Sequence, residues 1–201
     1  MFYRPEQGHG LPHNPLNALV APRPIGWIST RGQLGDNLAP YSFFNLTAYE
    51  PPQVMFASTS AKDDRPGTKD SVAQIAESRV FCVNIADGTQ REAVNQSSAM
   101  LPAGESEFVR AGVTPVPCHT IDCPRVAEAA ASLECRMTRI IRQAGEANFL
   151  VLGVVTGIHI RDSALTDGQF DLRGSGGWLA RLGYRGDYVA VTETFEMTRP
   201  K

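Results

Sequence analysis

The chain has 201 residues, 42% of them apolar and 20% charged, with a formal net charge of −2. That length suits a single domain over residues 1–201 that buries roughly 70% of its unfolded surface. The charge balance gives no general attraction to nucleic acid or to an anionic membrane, and no apolar run approaches the ~20 residues that cross a bilayer.

The opening residues, MFYRPEQGHG, lack a basic segment followed by an apolar stretch, so no secretory signal is expected there. Prolines (14) and glycines (18) are spread along the chain without a repeat, which fits short elements and many turns. PIGWIST (24–30) reads as a strand, and RGQLGDN (31–37) as the turn region after it. PQVMFAST (52–59) and RVFCVNIA (79–86) are two further strands, rich in Val, Phe and Ile. Between them, RPGTKDSVAQIAE (65–77) places Val72, Ile75 and Ala76 at helical spacing. Pro66 and Gly67 turn the chain, and Asp70 or Ser71 is the expected N-cap. GTQREAVNQSS (88–98) is a second candidate helix.

Residues 124–142 are ambiguous. Leu133, Cys135 and Met137 alternate with polar residues as in a strand, yet Val126, Ala130, Leu133, Met137 and Ile141 also form a helical stripe. QAGEAN (143–148) has turn chemistry, and FLVLGVVTGIHI (149–160) is β-branched, with Gly153 and Gly157 at positions suited to a bulge or a close approach. A long hairpin over residues 132–160 is therefore expected, with 127–131 undecided. DYVAVTETFEM (187–197) is expected as a last alternating strand. Strands dominate, no βα unit repeats and no GxGxxG follows a first strand. This excludes a doubly wound dinucleotide fold and points to an antiparallel Greek-key β-barrel, mainly β with short helices.

Cysteines occur at positions 82, 118, 123 and 135. Within CHTIDC (118–123) the spacing is not that of a CxxC redox pair. His119 and Asp122 make a metal site conceivable, but no second ligand pair follows at zinc-like spacing. Free thiols in a reducing cytoplasm are expected. The histidines at 9, 13, 119 and 159 share no spacing, His159 reads as a packed or hydrogen-bonded strand residue, and no serine sits in a GxSxG elbow.

Three polar clusters stand where strands end. NLAPYSFFN (37–45) sets Asn37, Ser42 and Asn45 among aromatics, a mixture that suits a planar aromatic ligand or, equally, a loop packing into the core. Ser58, Thr59 and Ser60 at one end of a connection, with Lys69 and Ser71 at the other, can close on a phosphate at a helix N-terminus. The pattern is not a P-loop, because GTKDS lacks GxxxxGK[ST]. GWLARLGYRGDY (177–188) offers Trp178, Arg181, Tyr184, Arg185 and Tyr188 to a ring, a phosphate or a dimer interface.

Together these segments resemble the flavin reductase-like family, whose members bind FMN on a split β-barrel. The likeness begins at PRPIGWIST (22–30) and continues through NLAPYSFFN, PPQVMFAST and KDSVAQIAESRVFCVNI. It reaches LEC (133–135), FLVLGVVTGIHI and RLGYRGDY (181–188). The resemblance implies that Asn37, Ala39, Pro40, Tyr41, Ser42 and Phe43 lie along the isoalloxazine ring, with main-chain groups at its polar edge. It implies that Ser58, Thr59 and Ser60 meet ribityl and phosphate oxygens, and that Lys69, Asp70 and Ser71 stand on a Lys-Asp-Thr phosphate motif. Lys69 and Ser71 would be the direct contacts, with Asp70 capping the helix or holding Lys69. Asn148 and Arg181 carry over to the flavin ring and its surroundings.

The family's threonine is Ser71 here, a frequent asparagine is Gln74, and a common Gly-Gly pair is Gly183-Tyr184. The activity implied is an FMN-dependent oxidoreductase taking hydride from NADH or NADPH and supplying reduced flavin to a partner monooxygenase or another acceptor. No protein residue is expected to be catalytic. The alternatives are an FMN-binding carrier or redox sensor without turnover, and a pyridoxamine phosphate oxidase-like relative. A homodimer is implied by the same resemblance.

Overall fold

The computed structural model describes residues 1–61, 67–102, 104–184 and 186–200. In chain order it has α1 (Leu16–Leu19), β1 (Arg23–Pro24), β2 (Gly26–Gly32), β3 (Gly35–Tyr41), β4 (Phe44–Tyr49) and β5 (Pro52–Ser58). Then come α2 (Asp70–Ser78), β6 (Val80–Ile85), α3 (Arg91–Gln96), α4 (Glu107–Ala111), β7 (Pro115–Pro117) and β8 (Pro124–Val126). The long strands β9 (Ala131–Arg142) and β10 (Phe149–Ile160) follow. The chain ends through β11 (Leu165–Thr166), β12 (Gln169–Phe170), β13 (Trp178–Arg181) and β14 (Tyr188–Val191). Arg65, Pro66 and Arg185 lie outside the described residues.

Seven strands make one antiparallel sheet in the order β3-β2-β6-β9-β10-β5-β4. Its two outermost strands are consecutive in the chain, with Ser42 and Phe43 alone between Tyr41 and Phe44. Laid flat, six inter-strand gaps would separate those edges by about 29 Å. Three Cα steps reach at most about 11 Å. The sheet therefore curls until its edges approach, and Ala57 N–H, donating to Phe43 O at 2.7 Å, extends the β4–β5 ladder back into that connection. This is the expected Greek-key split barrel.

Burial explains the strand sequences. Along β5, Val54, Phe56 and Ser58 face inward and alternate with more exposed residues. Phe56 lies 4.7 Å from the Tyr41 ring centroid and 5.6 Å from that of Phe81. Such tilted and edge-on pairs add about 0.5–1.5 kcal/mol beyond area burial. Ile28, Val83, Cys135, Met137 and Val151 complete the interior, and α2 lays Val72 and Ile75 against it. A second cluster gathers Trp27 and Leu38 with Val94 of α3, Phe108 of α4 and Leu179 of β13. Ile28 and Trp27 thus point into different cores, so β2 is buried from Gly26 to Thr30. That is why PIGWIST shows no clean alternation.

The hairpin expected over 132–160 forms, with residues 143–148 as its turn. Gly153 and Gly157 sit at register shifts, and a Cβ on Gly153 would lie 2.6 Å from the Phe81 ring. In the undecided stretch, β9 begins only at Ala131. Two expectations need correction. The turn over 31–37 shrinks to Gln33 and Leu34, because Arg31 pairs with Asp36 and Gly32 with Gly35, and an Arg31–Asp36 ion pair of 2.7 Å braces the ladder. The last strand covers Tyr188–Val191 instead of 187–197. Its ladder with β13 ends at Trp178 opposite Val191, so Phe195 and Met197 have no strand beside them and stay exposed.

Candidate functional site

A cleft of about 210 Å³ opens where β3 meets the N-terminus of α2. Asn37, Ala39, Pro40 and Tyr41 line it from β3, Lys69, Asp70 and Ser71 from α2, with Ser60 at the end of the β5 connection. As the edge of the seven-strand order, β3 pairs with β2 alone among the described residues. Main-chain groups on its other side are therefore available, and Leu38 N–H already donates that way to Glu107 at 3.3 Å. Pro40, with no N–H to satisfy, is tolerated at such an edge.

The helix begins differently from the sequence expectation. Lys69 is the N-cap, with extended backbone, and Asp70 is the first helical residue. The Lys69 side chain makes no capping hydrogen bond, so the cap oxygen expected from Asp70 or Ser71 does not stand at the N-cap position. The reason for Ser71 is geometric. Its hydroxyl accepts from Asn37 Nδ2 at 2.9 Å, and Asn37 also approaches Thr30 Oγ1 at 3.3 Å. Thr30 in turn donates to Gln74 Oε1 at 2.5 Å, and Gln74 Nε2 donates to Gly35 O at 3.0 Å. The extra methylene of glutamine lets α2 span to both β2 and the start of β3. Asn37 is thus a buried tether that aims Ser71, and Gln74 is its anchor.

Three polar groups around the cleft have no polar partner among the described residues. Tyr41 Oη and Ser58 Oγ are buried without a hydrogen bond. Burial pushes the Tyr41 phenol up, opposed by the hydroxyls of Ser71 and Ser58, which lie near it but outside hydrogen-bond geometry. Lys69 has no ion pair among the described residues, and its Nζ stands 5.8 Å from the Tyr41 ring centroid. Burial lowers its pKa. A cation with no ion pair among the described residues, a helix N-terminus and buried hydroxyls in one place are the chemistry of an oxyanion receptor.

Other expected residues lie apart from these walls. Thr59 is exposed beyond β5, Ser42 and Phe43 sit at the barrel seam, and Arg23 stands 5.6 Å over the Phe43 ring. Asn148 donates to Ala144 O at 2.7 Å and closes the β9–β10 turn. Arg181 stacks at 4.6 Å on Tyr188 in a separate groove of about 830 Å³ bordered by Thr89 and Arg91. His159 is hydrogen-bonded, with Nε2 at 2.5 Å from Glu134. Ser97, Ser98, Ala99, Met100 and Glu107 also line the cleft and were not anticipated. They follow α3 or open α4, and nothing local in their sequence marks them as a wall of β3's cleft.

The family model for the flavin reductase like domain matches residues 19–182, which include the whole cleft. The chain belongs to the flavin reductase-like family. An uncharacterized protein of Deinococcus radiodurans is 36% identical over 197 residues, spanning 92% of this chain and 82% of that protein. The solved structure of nitrilotriacetate monooxygenase component B from Bacillus cereus superposes with a TM-score of 0.82 at 29% identity, covering 94% of this chain and all of the other. The 2-nitrobenzoate 2-nitroreductase of Pseudomonas fluorescens follows with a TM-score of 0.77 at 26% identity, covering 92% and 88%. Family membership supports a flavin-related oxidoreductase role. Among the described residues no helix is long and apolar enough to cross a membrane.

Proposed function

We propose that the chain is an FMN-dependent oxidoreductase that accepts hydride from NADH or NADPH. One observation carries the cofactor assignment: half-buried Lys69, with no ion pair among the described residues, stands at the N-cap of α2, where its side chain makes no capping bond. A dianionic phosphate satisfies the lysine, the amides and the Ser71 hydroxyl together. Because Asn37 donates to Ser71 Oγ, the Ser71 O–H is left to donate outward to a phosphate oxygen. Ser58 and Tyr41 supply buried hydroxyls for the ribityl chain, with Thr59 and Ser60 beside them, and the free edge of β3 from Asn37 to Tyr41, with Ser42 and Phe43 after it, supports the ring. Asp70 is assigned to the helix start, where a carboxylate complements the dipole. Asn148 and Arg181 are assigned to the outer surroundings of the ring.

When bound, FMN supplies the electron chemistry, and the protein supplies binding, orientation and electrostatics. No side chain is assigned a proton-transfer role. The relationship to a protein named as a monooxygenase component favours transfer of reduced flavin to a partner monooxygenase, from a homodimeric, cytoplasmic reductase. Anaerobic titration of FMN-loaded protein with NADH and then NADPH tests this. Bleaching of the yellow band within seconds is expected with at least one nicotinamide. Persistent colour with both would leave an FMN carrier or sensor, and no flavin binding at all would remove the whole reading.

A further inference from the structure

The end of the β7–β8 hairpin, away from the cleft residues, brings cysteines together. Its ladder pairs Pro115 with Val126, Val116 with Arg125 and Pro117 with Pro124. Cys118 and Cys123 come next on the two sides, and the Cys118 N–H donates to Cys123 O at 3.0 Å. Directly opposed antiparallel residues have Cα atoms about 4.5–5.5 Å apart. A disulfide accepts about 4.4–6.8 Å. Both residues are free thiols, Cys118 partly exposed and Cys123 buried.

The loop that joins them is tied down. The buried Glu134 carboxylate accepts from His119 N–H at 2.7 Å, Thr120 N–H at 2.6 Å and the Thr120 hydroxyl at 2.5 Å. The two sulfurs therefore need little further ordering to meet. Cys118 packs on a cluster of Val80, Cys82, Ile121 and Cys123. The thiols of Cys123 and Cys82 hold the Cys118 thiol well below the ordinary range, against burial and the Glu134 charge, and His159 adds a smaller lowering. Burial pushes Cys82 and Cys135 up. The Cys123 S–H also has the Ser29 and Pro124 carbonyls as acceptors, at 3.2 and 3.4 Å. Among the described residues no group of three His, Cys, Asp or Glu side chains is placed to hold a metal that would occupy these sulfurs.

We propose that Cys118 is a peroxide-oxidised thiol and that Cys123 resolves it into a disulfide across the hairpin end. In the first step the Cys118 thiolate attacks a hydroperoxide: the S–O bond forms, the O–O bond breaks, and the departing oxygen takes a proton from water. Cys118 is oxidised by two electrons to the sulfenic acid, and the peroxide is reduced to water or an alcohol. In the second, Cys123 sulfur attacks Cys118 sulfur, the S–S bond forms, and the hydroxyl leaves as water with the Cys123 proton. A dithiol reductant restores both thiols. The more exposed, more acidic thiol is attacked first, and its buried neighbour resolves it.

The test treats the reduced full-length protein with stoichiometric hydrogen peroxide, blocks remaining thiols by alkylation and maps peptides without reduction. A Cys118–Cys123 cross-linked peptide is expected, lost on treatment with dithiothreitol. In Cys123→Ser, a sulfenic acid at Cys118 is expected to react with dimedone, about tenfold faster than any at Cys82 or Cys135. Cys82→Ser is expected to leave the cross-link in place. A wild-type cross-link from Cys118 to Cys82, equal oxidation of Cys118 and Cys135, or no oxidation of Cys118 where glutathione is consumed would each overturn the proposal. The wild-type peptide map answers the question even if a variant misfolds.

Discussion

The side-chain amide of Asn37 donates to the Ser71 hydroxyl at 2.9 Å, joining the barrel's edge strand to the first turn of α2. Both residues are buried, so the bond sets where the helix N-terminus points relative to β3. Removing the amide leaves Ser71 without this donor and Thr30 with Gln74 as its remaining side-chain partner here. Asn37→Ala is expected to cost about 1–3 kcal/mol of stability and to weaken FMN binding through a displaced Ser71. Urea unfolding and an FMN fluorescence titration read the two effects; unchanged values in both would remove Asn37 from the site's support.

Lys69 is expected to act on affinity instead of chemistry. A charge-assisted contact is worth about 1.5–3 kcal/mol, so Lys69→Ala should raise the FMN dissociation constant by roughly 10–150-fold. Single-turnover flavin bleaching at saturating FMN should change little, and Lys69→Arg should recover part of the affinity. An unchanged dissociation constant in Lys69→Ala would break the phosphate assignment.

Gln74 and Gly32 form a second, separable pair. A Cβ on Gly32 would lie 2.6 Å from Gln74 Cγ, so the glycine makes room for the side chain that reaches Thr30 and Gly35. Gln74→Asn shortens that reach and is expected to cost about 1–3 kcal/mol. Gly32→Ala is expected to cost about 1–3 kcal/mol alone, and less in the Gln74→Asn background. A double-mutant cycle by chemical denaturation measures the difference; strictly additive costs would deny the coupling.

Glu134 gives a pH prediction. Burial pushes its carboxyl up, but hydrogen bonds from His159, Thr120 and His119 outweigh it and bring the folded value down to about 2, against an ordinary 4.5. A depressed folded pKa contributes stability that is fully present above about pH 4.5 and is lost as pH falls towards 2. Glu134→Gln is expected to destabilise the protein by about 3 kcal/mol at neutral pH and to flatten the stability curve between those pH values. Thermal melts across that window check the sign, and parallel curves for the two proteins would contradict it.

Much of the barrel was readable from local pattern. β5 alternates because one face is wet, and the turn chemistry of residues 143–148 between β-branched runs settled a segment whose periodicity also fitted a helix. That Lys69 and Ser71 stand together at a helix start was readable because both sit at the head of the repeat of Val72, Ile75 and Ala76. The failures share a cause. Strand β14 stops where its partner does, although its alternation continues, because a strand's length belongs to the pair. Ser71 is not the N-cap, because a residue far along the chain competes for its hydroxyl. Ser97, Ser98 and Glu107 join the cleft through tertiary contacts, among them the Leu38 N–H bond to Glu107 and the Trp27 indole bond to Ser97.

Composition, alternation and turn residues were thus enough for the element types and the barrel class, since each rests on interactions between near neighbours in the chain, while the half of the cleft named in advance came from the family resemblance. Which hydroxyls are orphaned, which amide aims Ser71 and which cysteine faces which were settled by closure of the barrel. That closure brings together residues whose separation in sequence carries no signal of their contact.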